Sequence, residues 1–270
     1  MAFTISNLSS LAAYRYLLRH NKTIVQSMEK LSSGYRINRA SDDVTGYALT
    51  EKMTTRIMGL KQAEKNAQHA ASLLREADSG MSSINEKLQD LRALAIRAAS
   101  ESANQRIATQ KAVDQLVAEI DRLASATKFS NIQILKGIGR MDIHIGAGVD
   151  ETIRISISSV DVNALGIRGL AVTGTANTNA EKAISSLDAA LSIKIRARSQ
   201  VGAYEARAER IISQLQISQM NMEAARSRIR EVDFARETMA LTRSQILQSA
   251  ALAMLAQANL DARNISRLLY

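Results

Sequence analysis

The side chains that would first be sought for metal or proton chemistry are few: His20, His69 and His144, and the adjacent carboxylates Asp42 and Asp43. A zinc site needs three or four His, Cys or carboxylate ligands at short set spacings. The three histidines lie far apart, none belongs to a His-Glu-x-x-His pattern, and there is no cysteine to supply a thiolate, a disulfide or a Cys-type zinc ligand. Asp42-Asp43 follows Ser41 and precedes a helical pattern. That order places a capping hydroxyl and two carboxylates at the positive end of a helix dipole, a structural role. No Gly-x-Gly-x-x-Gly, phosphate-binding loop or Gly-x-Ser-x-Gly occurs. The residues therefore predict no catalytic residue, no metal site, no cofactor and no enzyme.

The elements that carry these residues are long. From Leu60 to Ala98 an unbroken three-and-four spacing runs through Leu60, Ala63, Ala67, Ala70, Leu74, Ala77, Met81, Ile84, Leu88, Leu91, Ala95 and Ala98. A second seam runs through Ala197, Val201, Tyr204, Ala208, Ile211, Leu215, Ser218, Met222, Ala225, Ile229 and Val232, broken only by Ser218. A repeat averaging 3.5 residues keeps one helix face turned to a partner. Two seams near opposite ends of one chain can satisfy each other, which predicts a mainly α fold, a long antiparallel coiled-coil rod. Proline is absent from the 270 residues, where average usage of ~5% gives about thirteen. Helix interiors exclude proline because it removes a donor and clashes with the preceding turn.

The net charge is +9. Lysines and arginines are interleaved with acids, as in Glu205, Arg207, Glu209 and Arg210, which reads as solvated helix faces and not as a nucleic-acid groove. No apolar run reaches the ~20 residues of a membrane span, so no membrane partner is predicted. The N-terminus lacks the basic start and apolar stretch of a secretory signal.

Along the chain, residues 2–33 read as an amphipathic helix ending at Ser33-Gly34, then a connector to Ser41, a long helix to about Ser100 and a third from Asn104 to Thr127. Met141, Ile143 and Ile145, then Ile153, Ile155 and Ile157, alternate with polar residues, which predicts a small β-hairpin patch within about 138–175. Helix resumes near Asn179 and runs to about Arg230, and a last segment covers Asp233 to Leu269.

Two terminal blocks go beyond pattern. The first is Leu31-Ser-Ser-Gly-Tyr-Arg-Ile-Asn-Arg-Ala-Ser-Asp-Asp43, followed by Gly46. The second is Ala225-Arg-Ser-Arg-Ile-Arg-Glu-Val-Asp-Phe-Ala-Arg-Glu237, then Ile246 to Asn259. Between them stand Glu119-Ile-Asp-Arg-Leu123, Thr127-Lys-Phe-Ser-Asn131 and Ile145-Gly-Ala-Gly148. In this order they resemble bacterial flagellins over nearly the whole chain. The resemblance implies a short flagellin without outer D2/D3 domains: 1–40 an N-terminal D0 helix and connector, 41–180 N-terminal D1 helices with the β patch, 181–232 the C-terminal D1 helix, and 233–270 the C-terminal D0 helix. It implies a structural subunit that self-assembles into the filament for motility, with filament-core residues Leu8, Leu11, Leu18, Val25, Leu252, Leu255 and Leu268. The D1 seam is expected at Leu74, Met81, Leu88, Leu91, Val201, Ile211, Leu215 and Ile229. The implied partners are further copies of the chain, a flagellar secretion chaperone on about 230–270, and the filament cap and hook-junction proteins. The implied location is extracellular, reached by type III export.

Departures stand beside the match. Gln89, Arg92 and Leu94 match the stretch of enterobacterial flagellins read by the flagellin-sensing Toll-like receptor, but Asp90 stands where those carry arginine and Ala93 where they carry glutamate; weak receptor activation is expected. The alternative within the class is a hook–filament junction protein resembling hook-associated protein 3. A zinc-protease insert of the kind some flagellins carry would need His-Glu-x-x-His, and a basic coiled-coil nucleic-acid binder would need clustered cations.

Overall fold

The computed structural model describes residues 8–174 and 177–269, with α5 side chains described through 261 and at 263. The chain forms α1 (Leu8–Ser33), α2 (Val44–Ser100), α3 (Ala103–Ala126), β1 (Lys128–Phe129), β2 (Ile132–Gln133), β3 (Ile138–His144), β4 (Thr152–Ile157), α4 (Thr178–Arg230) and α5 (Phe234–Leu269). It divides into two compact units, one of residues 1–55 with 221–270 and one of residues 56–220, so the division falls inside α2 and α4. The predicted first helix is seen from Leu8; residues 2–7 lie outside the described residues.

In the central unit every residue of the 60–98 seam is buried. The facing row on α4 is Ala180, Ala183, Leu187, Ala190, Lys194, Ala197, Val201, Ala208 and Leu215. It begins seventeen residues before the predicted seam, because Lys194 interrupts the apolar pattern while its aliphatic stem lets it sit in the row at 3% exposure. Burial and the Arg198 charge lower its pKa. Polar pairs flank the seam and fix its antiparallel register. Arg92 Nε meets Asp188 at 2.8 Å, Arg198 clasps both oxygens of Asp78 at 2.7 and 2.9 Å, and Arg75 bonds Glu205 at 3.1 Å and Glu209 at 3.2 Å. Further along, Glu64 accepts from Gln216 and Gln219 at 2.8 and 2.9 Å. Each exposed ion pair is worth ~0–1 kcal/mol, so the buried seam stabilises and the pairs set register.

The seam is not two-stranded along its whole length. Val113, Ile120 and Ala124 of α3, and Ile134, Leu135, Ile155 and Ile157 of the β region, join the same cluster. Two antiparallel pairs form, β1–β2 and β3–β4. Ser130 and Asn131 both take positive φ, at 48° and 71°, the conformation a two-residue hairpin turn requires. This small hairpin precedes the predicted patch. The patch itself is strand only to Ile157. Residues 158–174 instead carry turns whose Val160, Val162, Leu165, Ile167, Leu170 and Val172 are buried. Their apolar residues plug the core without a ladder, so period-two reasoning does not find them.

Arg106 holds the end of this segment. At 4% exposure it donates from Nε to the Ala98 carbonyl at 2.8 Å, from Nη1 to the Gly174 carbonyl at 2.9 Å, and from Nη2 to Asn177 Oδ1. One guanidinium thereby ties the α2–α3 turn to the approach to α4.

In the terminal unit, the Ser41-Asp42-Asp43 start divides its labour differently from expectation. The cap is Asp43, whose Oδ1 accepts the Gly46 N–H at 2.9 Å. Asp42 points back into the connector, and its Oδ2 accepts the Arg39 and Asn38 N–H groups at 2.9 and 3.0 Å. Those bonds, Arg39's first, hold its carboxyl below its ordinary pKa. Gly34, at φ 75°, turns the chain out of α1. The connector then lies along the α4–α5 junction: Arg36 N–H donates to the Arg230 carbonyl at 2.7 Å, Val232 N–H to the Gly34 carbonyl at 3.0 Å, and the Arg230 guanidinium sits 4.8 Å from the centre of the Tyr35 ring.

Candidate assembly interface

The helices α1 and α5 pair antiparallel in the terminal unit, and each has two apolar faces while the other helix covers only one. Inward, Ile24 and Ser27 of α1 and Ser244, Ala251 and Ala258 of α5 are buried. Ser27 Oγ donates to Glu237 Oε1 at 2.6 Å, and Gln248 Nε2 to Asn21 Oδ1 at 2.6 Å. Outward, α1 presents Leu11, Leu18 and Val25, seven residues apart, with Leu8 and Tyr14 beside them; Val25 is 65% exposed. On α5, Met239, Ile246 and Leu260 are exposed in the same heptad register, with Ala253 between them, and Ile246 is 65% exposed. An i, i+7 stripe is the seam of a coiled coil, and here it faces solvent. Between the two helices an open groove of about 680 Å³ is lined by Ala12, Ala13, Tyr16, Leu247, Ala251 and Met254, among others.

The residues predicted for the filament core do not all share one surface. Leu8, Leu11, Leu18, Val25 and Leu252 are exposed. Leu255 is half-buried, one turn from Ala251 and Ala258 on the inward face of α5. Leu268 lies in α5, but its side chain is outside the described residues. The α5 stripe of Met239, Ile246, Ala253 and Leu260 was missed because the apolar face of that segment reads as one broad band; counting strictly by sevens separates the inward row from the outward one. Of the seam residues, Leu74, Met81, Leu88, Leu91, Val201 and Leu215 are buried, while Ile211 and Ile229 are half-buried.

Gln89 and Asp90 are exposed on α2, and Asp90 accepts from Lys87 Nζ at 3.2 Å. Arg92 is engaged by Asp188, and Leu94 packs partly against the core. Of the four candidate receptor residues, Gln89 and Asp90 are thus exposed, Arg92 is held in a surface ion pair and Leu94 is half-buried. His20 borders the α1/α5 groove; His69 and His144 line a separate groove of about 390 Å³ between α2 and β3. Among the described residues no group of three or more His, Asp or Glu is placed to hold a metal ion, and no helix is long and apolar enough to cross a membrane.

Comparison with known proteins decides what this arrangement belongs to. Residues 5–140 match the family model of the bacterial flagellin N-terminal helical region, and residues 178–269 that of the bacterial flagellin C-terminal helical region. The chain belongs to the bacterial flagellin family. Relatives align end to end with this flagellin. The flagellar filament 33 kDa core protein of Treponema phagedenis is 38% identical over 97% of this chain and 98% of its own length. Flagellin of Halalkalibacterium halodurans is 37% identical over the same shares, and flagellin of Bacillus subtilis 34%. The crystal structure of Bacillus cereus flagellin covers 60% of this chain and 94% of its own, at TM-score 0.49 and 26% identity. The two family regions leave only residues 141–177 between them, which hold the rest of β3, β4 and the apolar turns after it, so this flagellin has no large middle domain.

Proposed function

We propose that this flagellin is the structural subunit of a flagellar filament, and that it polymerises by laying the outward stripe of α1 against the outward stripe of α5 of another copy. The observation that carries the reading is the pair of solvent-facing heptad rows, Leu11/Leu18/Val25 and Met239/Ile246/Ala253/Leu260. Because the two rows differ, α1 of one copy can seat on α5 of the next head to tail, and a heterologous contact of that kind whose rotation does not close yields an open helical polymer.

Magnitudes favour many neighbours over one. Burying a half-exposed Leu, Ile or Val recovers roughly 1–1.5 kcal/mol, so six such residues give about 6–9 kcal/mol. The association cost is ~4–15 kcal/mol. A single contact is marginal, and a subunit wedged among several neighbours is held. Growth on an existing end should then outrun nucleation.

The role is structural and not catalytic. The family also supports finer readings: export through the flagellar type III apparatus to a site outside the cytoplasm, a secretion chaperone on about 230–270, and contact with the filament cap and hook-junction proteins. The test is Leu18→Asp and Ile246→Asp, each mixed with short wild-type seeds and followed by sedimentation and negative-stain microscopy. Both variants are expected to keep wild-type helix content as monomers and to add no length to seeds. Filaments growing at the wild-type rate from either variant would refute the stripe-to-stripe contact.

A further inference from the structure

Beside its apolar stripe, α1 carries a basic one. Arg15, Arg19 and Lys22 recur at spacings of four and three, which aligns them on one strip of the helix, and all three are exposed. The strip borders Leu11, Leu18 and Val25, and Tyr14 and Tyr16 are exposed close by. None of the three cations is engaged by a carboxylate among the described residues. By contrast, Arg75, Arg92, Arg97, Arg122, Arg154 and Arg198 of the central unit each hold one. No acidic residue precedes Glu29, and α5 has none from Thr238 to Leu260. These six arginines of the central unit are thus each paired with a carboxylate, while α1 carries its three cations on a strip with no acidic residue within its first five turns, set against an apolar row.

We propose that α1 of the free subunit docks on the surface of an anionic phospholipid bilayer. The helix lies in the headgroup plane, with Leu11, Leu18 and Val25 entering the acyl boundary and Arg15, Arg19 and Lys22 on the phosphates. A helix with adjoining basic and apolar faces binds in this way without spanning, and tyrosines suit the boundary because each has an apolar body and a polar tip. Charge complementarity chooses the occupant. The cations form a repeating edge with no pocket to fix one carboxylate, which matches a fluid array of phosphates better than the fixed register of an acidic protein. The docked face shares Leu11, Leu18 and Val25 with the proposed polymer contact, so the two are alternative uses of α1; docking belongs to the free subunit and departs from the expectation of no membrane partner, which rested only on the absence of a spanning apolar run.

The experiment is co-sedimentation of full-length monomer, kept below the concentration at which it polymerises, with vesicles of phosphatidylcholine containing 30% phosphatidylglycerol. Pure phosphatidylcholine vesicles serve as the reference, at 50 and 500 mM salt. Binding is expected to the anionic vesicles only, and to weaken in high salt. Each cation near an anionic surface is worth about fivefold in affinity, so Arg15→Gln/Arg19→Gln/Lys22→Gln should lose roughly a hundredfold. Arg75→Gln/Arg92→Gln, which removes as much as two charges from paired positions, should bind like wild type. Leu18→Ala/Val25→Ala should also weaken binding. Equal binding to both vesicle types, unchanged binding by the triple variant, or no binding by wild type would each overturn the proposal. Capture of wild type by heparin beads but not by vesicles would reassign the strip to a soluble polyanion and overturn it too. Seeded growth of the triple variant without lipid is read separately; failure there bears on the polymer contact and leaves the vesicle result interpretable.

Discussion

Replacing Arg106 with methionine keeps most of the side chain's volume and removes its donors. The guanidinium reaches the Ala98 and Gly174 carbonyls and Asn177 Oδ1. Hydrogen bonds from a charged donor are worth ~1.5–3 kcal/mol each, which sets an upper limit near 9 kcal/mol for three. Two considerations lower it. Gly174 and Asn177 are exposed and regain water, whereas the Ala98 carbonyl sits in the core-side turn beside a residue with no exposure and keeps most of its penalty. Removing a buried cation also ends its desolvation cost, which is why apolar replacements of buried charges are sometimes neutral. The balance is a loss of about 3 kcal/mol. Urea unfolding followed by circular dichroism at 222 nm should show the midpoint of the central unit falling by about 1–2 M, while the transition of the terminal unit, 1–55 with 221–270, stays in place. Arg106→Lys keeps charge but not the forked geometry and should fall between. If Arg106→Met unfolds within about 0.5 kcal/mol of wild type, the guanidinium does not secure this segment, and the apolar plug of residues 158–174 holds by itself.

Leu88, with no exposed surface, should cost about 2–5 kcal/mol on truncation to alanine, and thermal unfolding should register it in the central unit. Gly80→Ala pits a helix-propensity gain of ~1 kcal/mol against a methyl 2.7–2.8 Å from Thr127 Oγ1 and Cγ2 and Leu135 Cδ1, an overpacking worth ~1–3 kcal/mol; the net is destabilisation by up to about 2 kcal/mol, and a rise in Tm would contradict it. Bonds from Gln216, then Gln219, lower the Glu64 pKa from its ordinary 4.5. Because the folded value lies below the unfolded one, the contribution is fully present above pH 4.5 and is lost as pH falls through the folded value. Glu64→Gln should flatten that part of the acid stability profile of the central unit, and an unchanged slope would count against it.

The long seam was legible because burial on a helix leaves a 3.5-residue trace that needs no partner's identity. What escaped is what breaks the trace. Lys194 occupies a core row by burying its stem, so the sequence shows a charge where the fold shows a packed side chain. Arg106 belongs to no motif, since its acceptors are backbone oxygens and one amide far away in sequence. Asp42 and Asp43 look alike in the chain. Only the φ and ψ of the connector send one carboxylate forward to Gly46 and the other back to Asn38 and Arg39. At the interface, spacing disclosed that α5 was apolar but blended its inward and outward rows, because a helix with two used faces resembles one with a single wide face.

The terminal unit joins the first helix of the chain to the last, and 200 residues lie between Ser33 and Phe234. A ribosome adding ~5–20 residues per second therefore completes α1 about 10–40 s before α5 begins to exist. Throughout that interval α1 has no α5 to cover its inward row at Ile24 and Ser27. Because the gap between the two helices is a property of chain order, no substitution in either helix shortens it. A holding factor that acts during synthesis would have to meet α1 first, and one that acts after release would find α5.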